Sequence, residues 1–141
     1  MSIATVLSPL FAQVALTFIL LFWMGSSRVA AIKRGEARIK DTALGQPNWP
    51  AKQQQIANAY HNQFQLPVLF YVLTVLVIIT RHADILFVVL AWVFVALRIV
   101  HAFIHTGDNY VPRRFYVFLA GAIVLLIMWI IFAIDILLGL P

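Results

Sequence analysis

Polar side chains recur at helical spacing near one end of a long apolar stretch in the middle of the chain. They are Gln55, Asn58, His61, Asn62 and Gln65. At 100° per residue, an α-helix would place all five within a stripe about 120° wide. Amides and an imidazole both donate and accept hydrogen bonds. This face could therefore hold a polar ligand or join two helices.

A second polar group lies near the end of the next apolar stretch. Arg98, His101 and His105 are three and four residues apart and share one helix face, and Arg113 and Arg114 follow closely. Neither face contains a carboxylate. Since arginine pairs well with carboxylate and phosphate groups, the two faces together predict a site for an anionic ligand.

Each part of this pattern has a simpler interpretation. Amides hydrogen-bond neighbouring helices together in membranes, and Arg98 could extend its charged end to the lipid headgroups. His101 or His105 alone could be an ordinary histidine of a helix interface. A shared site is favoured because both faces fall at one predicted depth.

The elements that position these residues are predicted from the apolar runs. The chain has 141 residues, of which 63% are hydrophobic and 11% are charged, too few to cover a soluble domain. Four runs, about 5–27, 58–80, 84–105 and 115–138, are each long enough to cross a hydrocarbon core about 30 Å thick as helices. The prediction is an all-α, integral membrane four-helix bundle, a single domain over residues 1–141 with a polar loop at 28–57. Without cysteine, the chain has no disulfide and no thiolate of its own.

Lysine and arginine are concentrated in two of the predicted connections. The long loop carries six of the ten: Arg28, Lys33, Arg34, Arg38, Lys40 and Lys52. Arg113 and Arg114 precede the fourth run, whereas the opposite connection holds only Arg81, beside Asp84. By the positive-inside rule the basic loops are cytoplasmic and both termini are not. The net charge of +5 suits anionic membrane lipids, and no motif indicates nucleic-acid binding.

The segment Asn62-Gln63-Phe64-Gln65-Leu66-Pro67 resembles the Asn-x-x-Glu-x-x-Pro-like element of the MAPEG family, the membrane-associated proteins of eicosanoid and glutathione metabolism. The spacing of the proline is that of bacterial members, which implies a bacterial inner membrane. Arg98-Ile-Val-His101 is similar to the Arg-x-x-His of the family's third helix, and Pro112-Arg113-Arg114 follows it.

The resemblance implies a homotrimer that binds glutathione as co-substrate between neighbouring subunits. The implied activity is transfer of glutathione to a lipophilic small molecule, or reduction of a peroxide. Arg114 would stabilise the thiolate and His105 would carry a proton. The implied binding residues are Asn58, Asn62, Gln65, Arg98, His101 and Arg113.

This chain departs from the family pattern at four positions. Gln65 replaces the glutamate that holds the glutathione amino group, Asn58 replaces an arginine, and His105 and Phe118 stand where tyrosines are common. These changes also fit a non-catalytic member, acting as a lipid-binding or accessory subunit beside a partner membrane protein.

The sequence also bears on two further classes of membrane protein, a haem carrier and a transporter. His61 with His101 or His105 could clasp a haem. A proton-coupled transporter needs a carboxylate inside the membrane, and only Asp135, at the end of a run, is available.

Overall fold

The computed structural model describes all 141 residues, and its only regular secondary structure is helical. The helices are α1 (Ile3–Lys33), α2 (Ile39–Thr42), α3 (Ala51–Asn62), α4 (Leu66–Ile79), α5 (Ile85–Thr106) and α6 (Val111–Leu137). Four segments are long and apolar enough to cross a membrane: α1, α3 together with α4, α5, and α6. The predicted all-α fold with four spans is confirmed.

The first two spans extend further into the polar loop than their apolar runs predicted. α1 continues to Lys33 instead of ending near residue 27, and α3 begins at Ala51 instead of near residue 58. The long connection is therefore 34–50, not 28–57, and it contains α2. Hydropathy marks only the residues that suit hydrocarbon, whereas helical hydrogen bonds continue into the polar zone.

α1 ends where glycine permits a left-handed residue. Gly35 has φ +75°, and the N–H of Glu36 donates to the carbonyl of Ala31 at 3.0 Å. This pairing is the Schellman motif, which satisfies carbonyls at the end of a helix.

The second span is interrupted at residues 63–65. Pro67 has no N–H to give to the carbonyl of Gln63, and it lies in the first turn of α4. The structure therefore has a break between two helices at this point. Gln65, with φ −95° and ψ −105°, is the residue at which the direction changes.

The apolar core lies between α1, α4, α5 and α6, in the half of the bundle that contains the chain termini. Phe70 of α4 and Phe94 of α5 lie at its centre with ring centroids 5.0 Å apart. The ten buried members are Val6, Phe70, Leu73, Val77, Phe87, Ala91, Phe94, Val95, Leu125 and Met128. Apolar packing is thinner toward the basic loops, where only Leu20, Ala59 and Ala102 form a second cluster.

One buried pair of amides joins the first two spans. Nε2 of Gln13 donates to Oε1 of Gln63 at 2.8 Å, and Nε2 of Gln63 donates to the carbonyl of Ala59 at 2.9 Å. Both side chains are buried, Gln13 fully so. Gln63 thus bonds inside its own subunit and does not belong to a ligand-binding face.

Side chains of the first turns of α3 form hydrogen bonds to the C-terminal end of α5. Lys52 donates to the carbonyl of Thr106, and Nε2 of Gln55 donates to the carbonyl of Gly107 at 3.2 Å. These bonds satisfy carbonyls that a helix end leaves free. Glycine is required at 107, because a Cβ there would lie 2.8 Å from the carbonyl oxygen of Phe103.

Candidate functional site: a cationic cavity between α3, α5 and α6

A cavity of about 470 Å³ opens between α3, α5 and α6 at the end of the bundle near the basic loops. This volume lies within the range of small-molecule sites in proteins. Its walls contain seven polar and three apolar residues: Asn58, His61, Asn62, Gln65, His101, His105, Val111, Arg114, Phe115 and Phe118.

Helical periodicity brings these side chains together. The α3 residues 58, 61 and 62 are three and four positions apart, and Gln65 follows at the break. His101 and His105 are four apart on α5, with ring centroids at 5.4 Å. On α6, residues 111, 114, 115 and 118 repeat the same spacing, so one face of each helix meets the cavity.

Arg98 lies behind the cavity wall and is 1% exposed. Nη2 donates to Oδ1 of Asn62, and its distance to the backbone carbonyl of the same residue is 3.4 Å. The Cζ atom lies 5.9 Å from the ring centre of Phe118, which lines the cavity. Nε and Nη1 have no hydrogen-bond partner, so three of the five guanidinium N–H groups (one on Nε and two on Nη1) are unpaired.

This arginine fixes the orientation of two amides. Because a guanidinium only donates, Asn62 must present its carbonyl oxygen to Arg98 and turn its NH₂ group toward Gln65. Nδ2 of Asn62 then donates to Oε1 of Gln65 at 2.9 Å. The oxygen of Gln65 is already engaged, and its NH₂ group remains for a ligand. The relay from Arg98 through Asn62 to Gln65 therefore makes the third residue a donor.

The cavity presents positive charge and hydrogen-bond donors, with no carboxylate in its lining. Arg114 is half-buried in the wall, and its Nη1 donates to Oδ1 of Asn109 at 2.6 Å. The three ion pairs of the protein involve other cations, and none neutralises Arg98 or Arg114. Nδ1 of His101 and Nδ1 of His105 are buried and unpaired. An anion is the ligand that these groups would stabilise.

The structure brings six of the eight residues named from the sequence to this cavity: Asn58, Asn62, Gln65, His101, His105 and Arg114. Arg98 contacts it indirectly, through Asn62 and Phe118. Arg113 lies outside it, exposed, with Nη1 3.2 Å from a carboxylate oxygen of Asp108. The reason is geometric, since the α6 residues 111, 114, 115 and 118 cover an arc of about 100° and residue 113 lies on the opposite side of the helix.

Four lining residues were not among the eight named binding and catalytic residues. His61 belongs to the polar stripe of α3 from which the site was predicted, and it was otherwise named only as a possible haem ligand. Phe118 is four residues after Arg114, which is the helical signal for a shared face. Val111 and Phe115 are apolar and carried no sign of a site. Gln55, although part of the stripe, instead bonds the end of α5. No group of three or more metal-binding side chains is present.

An apolar groove of about 440 Å³ lies along the seam between α4 and α6. Its six lining residues are Leu66, Leu69, Ala122, Leu125, Leu126 and Trp129. Leu66 directly follows the cavity residue Gln65, and Ala122 lies about one helical turn after Phe118, whereas Trp129 lies about three turns after it. The groove therefore begins beside the polar cavity and extends along α6 toward the end of the bundle that contains the chain termini.

Comparison with known proteins gives one match. A model of the MAPEG family matches residues 6–134, which is nearly the whole chain. No curated protein and no solved structure matches it. With four apolar spans, this is an integral, multi-pass membrane protein, and the extent of the match shows that the chain belongs to the MAPEG family.

Proposed function

We propose that the cationic cavity binds glutathione and that the protein joins its thiol to a lipophilic electrophile, or uses it to reduce a lipid peroxide. The observation that carries this proposal is a cavity without carboxylates, with Arg114 in its wall and Arg98 behind it, and with an apolar groove beside it. A charged thiol compound and an apolar partner could meet where the two adjoin.

The donors of the cavity suit the two carboxylates of glutathione. The NH₂ group of Gln65 offers a carboxylate one donor, and the positive charges of Arg98 and Arg114 attract it to the cavity. The ammonium group of glutathione finds no carboxylate in the lining. Affinity would therefore come from the carboxylates.

The chemistry proposed is activation of the thiol. A positive side chain stabilises the thiolate relative to the neutral thiol, and the thiolate is the nucleophile. Arg114 supplies this charge, and His105 lies close enough to the cavity to accept the proton. The thiolate sulfur then forms a bond to the electrophilic carbon, and the leaving group departs with the electron pair of the broken bond.

The test is calorimetric titration of glutathione into the detergent-purified protein. Loss of one hydrogen bond to a charged group is worth roughly 1.5–3 kcal/mol, so Arg114→Gln should weaken binding about tenfold or more. Arg113→Gln is the matched control, since it removes an adjacent arginine outside the cavity, and should change binding less than twofold. Absence of saturable binding, or equal losses in the two variants, would reject the proposal.

A second candidate is a non-catalytic member that binds an anionic lipid or supports a partner membrane protein. One observation favours it: at the position that holds the glutathione amino group in enzymes of this family, Gln65 carries no charge and its oxygen already accepts from Asn62. Recovery of binding in Gln65→Glu, with none in the wild type, would support this candidate.

We also propose that copies of the chain assemble as a homotrimer that closes the cavity. Asn58, His61 and Gln65 are exposed in a single chain although they belong to a membrane span. Uncovered polar side chains in a span are unfavourable in lipid, and a neighbouring subunit would shield them. Light scattering with the detergent contribution subtracted should give the protein mass of three chains.

A further inference from the structure

A second groove, of about 410 Å³, lies between α1 and α5, on a different face of α5 from the cationic cavity. Nine of its ten lining residues are apolar. We call it the α1–α5 groove, and its residues are Ala12, Ala15, Leu16, Ile19, Leu20, Trp23, Ile99, Ala102, Phe103 and Thr106. Three of these residues are alanines, and Ile19 and Phe103 are strongly exposed, at 63% and 73%.

The groove has the length of one leaflet. From Ala12 to Trp23, α1 rises about 16 Å at 1.5 Å per residue. Half of a hydrocarbon core about 30 Å thick is about 15 Å. The groove therefore runs from the polar end of the bundle to the membrane centre, the path of an acyl chain in one leaflet.

The lining of the groove suits an acyl chain. The hydroxyl of Thr106, its only polar lining residue, donates to the carbonyl of Ala102 on its own helix at 2.8 Å. Apart from the indole N–H of Trp23 at the polar end, the lining offers no free hydrogen-bond donor, so van der Waals contact is what it can give a ligand.

The polar end of the groove carries a cation. Nζ of Lys52 lies 5.4 Å from the ring centre of Trp23, and the ammonium also donates to the carbonyl of Thr106. No carboxylate lies within 4.0 Å of it. An ammonium has three N–H groups, so two remain for a ligand. Tryptophan and lysine at this depth are typical of the headgroup zone.

We propose that the α1–α5 groove is a binding site for an anionic glycerophospholipid, with one acyl chain between α1 and α5 and the headgroup phosphate on Lys52. The groove is separate from the cationic cavity, so this proposal does not depend on glutathione binding. The lipid would fill the space between the two helices and hold Lys52 against the end of α5.

Native mass spectrometry of the detergent-purified protein tests the headgroup contact. The probes are phosphatidylglycerol and phosphatidylcholine with identical acyl chains. One surface lysine contributes about fivefold to the binding of an anionic lipid. The wild type should prefer phosphatidylglycerol by about this factor, and Lys52→Gln should remove the preference. Lys40→Gln, a lysine of α2 remote from the groove, should keep it. Equal affinities of the wild type for the two lipids would overturn the proposal.

A second pair of variants tests the acyl chain. Ala15→Phe fills the groove and should weaken both lipids about tenfold, because a chain of methylenes loses its place. Ala96→Phe, at an exposed position of α5 outside the groove, is the control and should leave binding unchanged. Equal effects of the two substitutions would show that the lipid lies elsewhere.

A single-cysteine variant tests whether another subunit occupies the groove. The protein has no cysteine, so Ile19→Cys carries the only thiol. A benzophenone attached to this thiol should crosslink to phosphatidylglycerol when the protein is irradiated in vesicles of that lipid. Crosslinking to a second copy of the chain would place that copy over the groove and overturn the lipid site.

Discussion

Asn62→Ala should destabilise the protein strongly, because it removes the acceptor that holds a buried charge. The lost bond to the guanidinium is worth roughly 1.5–3 kcal/mol, and the bond to Gln65 adds roughly 0.5–1.5 kcal/mol. The backbone carbonyl at position 62 survives the substitution and retains a long contact of 3.4 Å. The expected decrease in the free energy of unfolding is about 2–4 kcal/mol.

Arg98→Met should behave differently, although it removes the same hydrogen bond between residues 98 and 62. It also removes the buried charge together with its three unpaired N–H groups. Burial of a charge is costly, so its removal offsets the loss of the hydrogen bond to Asn62. We expect a change within about 1 kcal/mol. In the Arg98→Met background, Asn62→Ala should then cost less than about 1 kcal/mol, since no charge is left to satisfy.

The assay is reversible unfolding in mixed micelles as the fraction of denaturing detergent rises, with protein concentration held constant because assembly also contributes to stability. The four proteins form a double-mutant cycle, and the expected coupling energy is about 2 kcal/mol. Arg113→Met is the control for removal of a cation, and it should shift unfolding by less than about 0.5 kcal/mol. If Asn62→Ala has the same effect with and without Arg98, the relay does not exist and the reasoning is refuted.

Three shorter predictions follow from other contacts. Gln65→Glu should tighten glutathione binding about tenfold in calorimetry. The reason is that a carboxylate can accept from Asn62 with one oxygen and from the ligand ammonium with the other. Unchanged binding would exclude an ammonium at this position. Gln13→Leu should lower the free energy of unfolding by about 1–2 kcal/mol, because the oxygen of Gln63 loses its donor. Leucine at both 13 and 63 should restore most of the lost stability in the same detergent titration. Gly107→Ala should lower the thermal midpoint, because the new Cβ would lie 2.8 Å from a backbone oxygen; an unchanged midpoint would show that the turn relaxes freely.

The four spans and the polar site followed from two simple sequence patterns. Runs of apolar residues marked the spans, and spacing of three and four placed Asn58, Asn62, His101 and His105 on faces that meet at one cavity. The coarse position of the site was therefore predictable from the sequence.

The roles within the site were less predictable, because they depend on which neighbour each polar atom finds. Spacing alone gave no reason for Arg98 to lie behind the wall while Arg114 lies in it. Helix geometry separates Arg113 and Arg114 by about 100°, but their positions in the sequence did not show which of them faces the cavity. The engaged oxygen of Gln65 depends on the break at residues 63–65, where a regular helix would have pointed the side chain differently.

The paired amides of Gln13 and Gln63 also decide how the first two spans are aligned lengthwise. Apolar surfaces in lipid slide past each other with little change in energy, since lipid tails solvate them as well as protein does. Displacement by one helical turn, about 5.4 Å, would separate the two amides and leave Nε2 of Gln13 and Oε1 of Gln63 without partners in hydrocarbon. This contact therefore favours one lengthwise alignment of α1 and α3, and with it the height at which the basic ends of both spans emerge.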